Sequence, residues 1–437
     1  MLRLFPRSLL RDRSQIHHFV PLVLLVFAGE IIFALPFHIP RYFRPGFLDV
    51  FALSNSELGD IFAFYGVTAM ICYFPGGPLA DRFSARKLMS AALLATAVGG
   101  LLLLTGPDAE GIRWLFAYWG ITTILLFWAA MIKAARQIGG EHTQGIAFGL
   151  LDGGRGLVAA TAASVAVALF AYLLPVTLVS DTSSSSGDTR RNALQAVIIY
   201  YSLLTAVAGI LIYRYFPEDT GSQHWRNPHP LSSALRLLIN PRIWLQGVVV
   251  VCAYCGYKGL DNYGLYAFQI LQLSEVDAAA FTAAAAFLRP VAAIAAGLLA
   301  DRFQPSRVIT LAFGLAAASY GLMLLSPAYT GISLMIANLS ISAAAMFAIR
   351  GIYFALIHEC QMPRNATGVA VGTISMLGFT PDIFFAPLAG RLLDRAPGVA
   401  GYHAYFLLLG AFAIIGIAAS MALRVLNARN ESVNREA

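Results

Sequence analysis

Gly77-Pro78-Leu79-Ala80-Asp81-Arg82-Phe83-Ser84-Ala85-Arg86-Lys87 closes one long apolar run and opens the next, and Gly297-Leu298-Leu299-Ala300-Asp301-Arg302-Phe303 repeats its opening pattern 220 residues later, from Asp81 to Asp301. A second echo keeps nearly the same offset: Gly145-Ile146-Ala147-Phe148-Gly149 returns as Gly368-Val369-Ala370-Val371-Gly372, 223 residues on. Each copy sits where hydrophobic sequence breaks for a few charged residues. A chain that repeats itself at half its own length reads as two duplicated halves, a feature of membrane transporters.

Outward from this stretch the sequence is overwhelmingly apolar. Of 437 residues, 58% are hydrophobic and 12% charged, and the mean hydropathy is +0.69; soluble domains carry about 25% charge. A bilayer-crossing helix needs roughly 20 apolar residues. Twelve such runs are read at 19–39, 57–80, 87–105, 112–135, 145–174, 192–216, 242–271, 277–300, 306–326, 331–357, 367–390 and 402–425. The expected fold is therefore an all-α membrane protein, twelve transmembrane helices in two pseudo-symmetric six-helix bundles. The polar stretch Pro217 to Pro241, with His224, Arg226, Asn227, Pro228, His229 and Pro230, reads as the linker, giving bundles at 1–216 and 242–437. Disorder, a disulfide scaffold (four Cys only) and a second soluble domain are excluded.

The excess of 30 Lys and Arg over 23 Asp and Glu is scattered over short loops, which argues for membrane orientation and against a nucleic-acid partner. Arg3, Arg7, Arg11, Arg13, Arg82, Arg86, Lys87, Arg136, Arg214, Arg226, Arg236, Arg242, Arg302, Arg307, Arg364, Arg424 and Arg429 fall on one side; Arg41, Arg44, Arg113, Arg190, Arg191 and Arg395 fall on the other. The positive-inside rule makes the first side cytoplasmic, with both termini inside. Met1 to His18 has one acid, Asp12, and reads as a basic tail on anionic lipid.

Ionisable groups within the apolar runs are costly and hence functional candidates. Glu30, Asp152, Arg155, Lys258, Asp261, Arg289 and Asp382 fall near mid-depth, with Lys133, Arg136 and Arg350 further toward the cytoplasmic side. The cations Arg155, Lys258, Arg289, Arg350 and Lys133, with Tyr254 and Tyr257, are expected to bind a small anionic solute. Asp152 with Arg155, and Lys258 with Asp261, also stand i, i+3 on one face, so each pair can equally neutralise itself. Glu30 has no cation within a turn of its own helix and is expected to be the proton-coupling carboxylate, partnered by another helix through a cation such as Lys258; Asp152 and Asp382 are alternatives. Asp81 beside Arg82 and Arg86 reads as a gate whose ion pairs form in one conformation and break in another. Cys252 and Cys255 lie inside an apolar helix and read as buried packing. Asn365-Ala366-Thr367 fits a glycosylation pattern but falls on the cytoplasmic side. No Walker pattern, catalytic triad or metal constellation is found, so neither ATP, a cofactor nor an enzyme is implied.

The stretch at Gly77 to Lys87 resembles the signature between helices 2 and 3 of the major facilitator superfamily, a Gly-x-Leu-Ala-Asp-Arg core followed by small residues and two basics. The copy at Gly297 departs from it, with Gln304-Pro305-Ser306 before a lone Arg307. The resemblance implies two helical bundles around a central cavity that opens alternately to each face, with Gly77, Asp81, Arg82, Arg86, Asp301 and Arg302 in the gates. The chain is also similar to the bacterial branches near the organophosphate:anion antiporters and the anion:cation symporters, which carry organic anions. The reading is a bacterial inner-membrane secondary transporter, working as a monomer and moving a small organic anion with protons. A ligand sensor of transporter shape and an efflux pump for lipophilic compounds stand as alternatives; the sensor lacks a visible docking segment, and the pump calls for a cation-poor cavity.

Overall fold

A computed structural model describes residues 13–139, 144–174, 184–218, 240–324, 331–359 and 374–436. The described residues form helices joined by short turns, without strands. We number the long ones α1 (Arg13–Ile31), α2 (Asn55–Arg82), α3 (Ala85–Leu104), α4 (Ala109–Gly120), α5 (Gln144–Leu173), α6 (Ser184–Tyr215), α7 (Pro241–Gly259), α8 (Glu275–Ala286, continued by Leu288–Phe303), α9 (Pro305–Leu322), α10 (Ile332–Ile352), α11 (Pro381–Arg395) and α12 (Val399–Glu436). Among the described residues nine helices are long and apolar enough to cross a membrane, or ten if Val20–Ile31 and the bent Ala34–Tyr42 count as one span. The other two are α9, which opens on the polar Pro305-Ser306-Arg307, and α11, 15 residues long. Twelve helices result, as the sequence predicts.

Local sequence fixes where the helices begin. Ser54 accepts from Glu57 N and receives its carboxylate in return, a capping box that starts α2. Asp108 caps α4, Asn240 caps α7 and Ser274 caps α8, each side chain accepting one backbone N–H of the first turn without the reciprocal bond. Breaks inside helices also have causes. Pro290 has no N–H for the carbonyl four residues back, and α8 breaks at Phe287, two residues before Arg289. Thr122 and Thr123 hydroxyls bond the Trp119 carbonyl where α4 loosens into the π-helical Ile121–Trp128. Past Glu30, α1 gives way to the π turn Ala34–His38 and then Ile39–Tyr42, a stretch holding Pro36 and Pro40.

Buried apolar side chains gather in two clusters. One draws on residues 25–216 with Ala279, Ala283 and Ala286 of α8; the other runs from 243 to 423. The helix groups α1–α6 and α7–α12 meet through α2 against α11 and α5 against α8. Helix α2 defines two ends of the molecule, one at Asn55 and one at Arg82. From the Asn55 end to the level of Asp382 the groups touch backbone to backbone: a β-carbon at Gly59 or Gly66 would come within 2.5 Å of the carbonyl oxygens of Ala386 and Asp382. Large apolar side chains such as Leu311, Val291, Phe74 and Ile414 are exposed on the outer surface, where lipid rather than water is the solvent.

The polar linker core and the Gly368 echo, like Asn365 and the tail before Arg13, lie outside the described residues.

Candidate functional site

Between the two helix groups lies a buried band of charge. Glu30 stands at its centre, its side chain 6% exposed. Arg155 of α5 donates from Nε to Glu30 Oε2 at 3.1 Å, and Arg289 of α8 reaches Oε1 at 3.4 Å. Arg289 also donates to Asp152 Oδ1 at 2.9 Å. The partner acid of Arg289 thus comes from α1 and α5, not from α8, and the cation of Glu30 is not Lys258 as the sequence reading has it. Asp152 and Arg155 do not pair with each other; their i, i+3 spacing lets each face a different partner. Phe33 and Trp128 lie 5.6 and 5.9 Å from the Arg155 guanidinium carbon and wall it from the apolar interior.

A second set lies on α7. Lys258, 2% exposed, sits 3.2 Å from Asp382 and 3.7 Å from Asp261, with the Phe37 and Phe62 rings of the other group 4.4 and 4.9 Å away. The Tyr254 hydroxyl donates to both Asp382 oxygens at 3.0 and 3.1 Å. Arg41 pairs with Asp261 and donates to the Tyr257 hydroxyl at 3.1 Å. Sequence alone puts Arg41 in a solvated loop; the short helix Ile39–Tyr42 folds it into the interior.

Arg350 of α10 differs from the rest. Its guanidinium carbon lies 4.0 Å from the Tyr257 ring centroid, and its Nη1 is buried with no hydrogen-bond partner among the described residues. Of the mid-depth cations Arg41, Arg155, Lys258, Arg289 and Arg350, the first four each hold one or more of the carboxylates Glu30, Asp152, Asp261 and Asp382. Among the described residues five cations of the band face four acids, and Arg350 is the one that pairs with none of them, in a setting where a lone charge costs several kcal/mol. A cavity of about 40 Å³, lined by Glu30, Arg41, Tyr42, Tyr257 and Arg289 among others, lies beside the band toward the Asn55 end; it has room for about two waters.

The Asn55 end is tied shut. Asp394 of α11 accepts from Asn55 N at 3.3 Å and Ser56 N at 2.6 Å, at the first turn of α2, a site where a carboxylate meets orphan N–H groups and the positive end of the helix dipole. Arg391 reaches Asp60 at 3.0 Å, and Arg190 of α6 joins Asp49 at 2.7 Å to Glu275 of α8 at 2.6 Å. Every ion pair between described residues that joins the two helix groups lies in the central band or at this end.

At the Arg82 end, the signature residues stand apart from the band. Asp81, Arg82, Asp301 and Arg302 are exposed, and Asp81 makes no ion pair with a described residue. Arg86 bonds Glu218 at 3.0 Å. Lys133 donates to the Ala80 carbonyl at 2.9 Å, in the last turn of α2. Nothing lies within 4 Å of a β-carbon built on Gly77. Cys252 and Cys255 are buried thiols.

Sequence reasoning missed His38, Asp394, Arg391 and the Arg190 bridge. Only His38 left a signal, a histidine eight residues beyond Glu30 within one apolar run; the others form across helices remote in sequence.

The family description "Major Facilitator Superfamily" matches residues 19–384. "Inner membrane protein YihN" of Escherichia coli (strain K12) is 27% identical over 95% of this chain and 97% of its own, and "Inner membrane protein YqcE" of the same strain is 27% identical over 91% of this chain and 92% of its own. A solved bacterial homolog to the human lysosomal transporter Spinster, in an inward-facing and unoccupied conformation, superposes with a TM-score of 0.68 at 14% identity, covering 96% of this chain and 98% of that one; it carries the fold alone.

Proposed function

This chain belongs to the major facilitator superfamily; it is a secondary transporter and not an enzyme, and we propose that it carries a small organic anion across a bacterial inner membrane together with protons. The inner-membrane setting is supported by the names of its two Escherichia coli relatives. In this reading α1–α6 and α7–α12 are two bundles rocking about the charged band, residues 217–241 are their cytoplasmic linker, both termini are cytoplasmic, and the monomer suffices.

The observation that carries the anion is the uncompensated Arg350. An anionic group of the cargo placed against its open Nη1 supplies the missing negative charge and a charge-assisted hydrogen bond. Tyr257, stacked near Tyr254 with centroids 5.9 Å apart, offers the aromatic wall such a pocket uses. Arg155, Lys258 and Arg289 are already held by carboxylates here, so they recognise cargo only by exchanging partners, which couples binding to rearrangement of the band. Protonating Glu30 removes the negative charge shared by Arg155 and Arg289; it frees Arg155 and leaves Arg289 held by Asp152 alone. Asp81, which makes no ion pair with a described residue in the conformation closed at the Asn55 end, is the gate residue that pairs when the Arg82 end closes.

The test is purified protein in liposomes, offered labelled sugar acids, phosphorylated sugars and dicarboxylates beside uncharged sugars, with Arg350→Gln as the control. Uptake of an anion that Arg350→Gln abolishes supports the reading; preference for uncharged sugars overturns it.

A further inference from the structure

The charge of the band constrains more about the cargo than its sign. Arg41, Arg155, Lys258, Arg289 and Arg350 face Glu30, Asp152, Asp261 and Asp382, and Arg350 has none of these acids to itself. Two neighbouring groups leave that count unchanged. Arg44, 4% exposed and without an ion pair to a described residue, is matched at the Asn55 end: the Asn55 amide accepts from its Nη2 at 3.2 Å and donates to Asp394 Oδ1 at 3.1 Å. His38 sets one ring nitrogen 3.3 Å from Glu30 while the other, Nδ1, is buried without a partner, an arrangement that suits a neutral imidazole far better than an imidazolium. Among the described residues the band therefore carries a single net positive charge.

Keeping net charge out of water costs more the larger that charge is, whichever its sign, so the band gains most from a ligand that brings it to zero. One negative charge does so. A second would carry the band past zero to a single net negative charge, as unbalanced as when empty. It would also find no free cation in the band, since Arg41, Arg155, Lys258 and Arg289 are already held by carboxylates. Asp152, its side chain 39% exposed, stands within electrostatic range of Arg350 and repels a further negative group. The open, buried Nη1 of Arg350 suffices for one acid group.

We propose that the cargo binds as a monoanion, an organic acid with one ionised group such as a monocarboxylate, a sulfonate or a phosphodiester, and that dicarboxylates and phosphate monoesters are rejected while Glu30 is ionised. The inference rests on the anion reading of Arg350. It also carries a consequence for Glu30: a neutral residue there leaves Arg155 without an acid and doubles the net charge of the band, so the charge of the preferred ligand rises with it.

The experiment sets one carbon frame at three charges. Succinamide, succinamate and succinate, uncharged, singly and doubly negative at a pH of about 8, are titrated into the full purified chain at fixed ionic strength, with thermal unfolding as the readout of affinity. Sorbitol, gluconate and glucarate repeat the series on a polyol frame. The wild-type chain should bind the singly charged member about tenfold or more tightly than the doubly charged one. Arg350→Gln, with Arg350→Met as a second variant if the first folds poorly, should bind it no better than the uncharged member, and Glu30→Gln should favour the doubly charged one. Equal or tighter wild-type binding of the doubly charged member, lost in the Arg350 variants, overturns the single charge and leaves Arg350 as an anion site. A Glu30→Gln variant that keeps the wild-type order overturns the charge count. If in both frames the anions bind no better than the uncharged member, or bind the Arg350 variants as well as the wild type, the anion reading falls and this inference with it.

Discussion

Arg289 of α8 reaches Glu30 of α1 at 3.4 Å across 259 positions of sequence, and together with its bond to Asp152 this contact links the two helix groups at the level where Arg155, Asp152 and His38 converge. A cation of one group held by a carboxylate of the other is a switch by construction: whatever neutralises or replaces the carboxylate releases the tie.

Glu30→Gln mimics the protonated carboxyl. Accumulation driven by a pH gradient is expected to disappear, while exchange of labelled for unlabelled cargo falls far less, because exchange needs no net proton movement. Accumulation at the wild-type level would move the coupling site to Asp152 or Asp382.

Arg350→Gln should weaken anion binding by roughly 1.5–3 kcal/mol, the range for a hydrogen bond to a charged group, and it leaves no carboxylate stranded. Lys258→Gln differs in kind. It strips Asp382 and Asp261 of a buried cation and is expected to lower thermal stability as well as transport. Calorimetry beside cargo titration separates the two; equal loss of stability in both variants would take Arg350 out of the binding site.

Gly66→Leu should resist closure at the Asn55 end, since the α2 backbone there meets Asp382 with no room for a β-carbon. Spin labels at Thr105→Cys and Ala400→Cys, exposed positions of the two groups at that end, should show a longer mean separation at every pH. Asp394→Ala, which uncaps the first turn of α2, should act in the same direction more weakly, a cap contributing about 1 kcal/mol. An unchanged distance in Gly66→Leu would show that the contact is incidental to closure.

Asp81→Asn is predicted to spare cargo affinity and cut transport, because the residue stands exposed at the Arg82 end, away from the charged band. Thermal-shift affinity beside uptake checks this; loss of affinity would place Asp81 in the site or in folding.

How much of this was legible depends on the range of each interaction. Apolar runs of helix length are local signals, so the helices could be read directly. Glu30, Arg155, Lys258, Arg289 and Asp382 were visible as charges where charge is costly. Their partners were not, because Arg289 could as well have met Asp382 as Glu30 until the bundle set the distances. Arg41 was misplaced for a specific reason: it follows Pro40 at the end of an apolar run, and only the π turn at Ala34–His38 shows that the chain folds back inward. Asp394 gave no signal because its partners, two backbone N–H groups and the Asn55 amide at the start of α2, lie more than 330 positions away and leave no mark in its own stretch of sequence.

The central claim is cargo charge coupled to protons, and the measurement that tests it most directly is uptake into liposomes carrying the purified chain, with an inside-alkaline pH gradient imposed and a panel of labelled sugar acids, phosphorylated sugars, dicarboxylates, uncharged sugars and nucleosides outside. The account predicts that an anion accumulates only while the gradient lasts, that its entry acidifies the lumen, and that Arg350→Gln and Glu30→Gln each abolish accumulation. Accumulation of an uncharged solute in place of any anion, or anion uptake indifferent to the gradient, would contradict it.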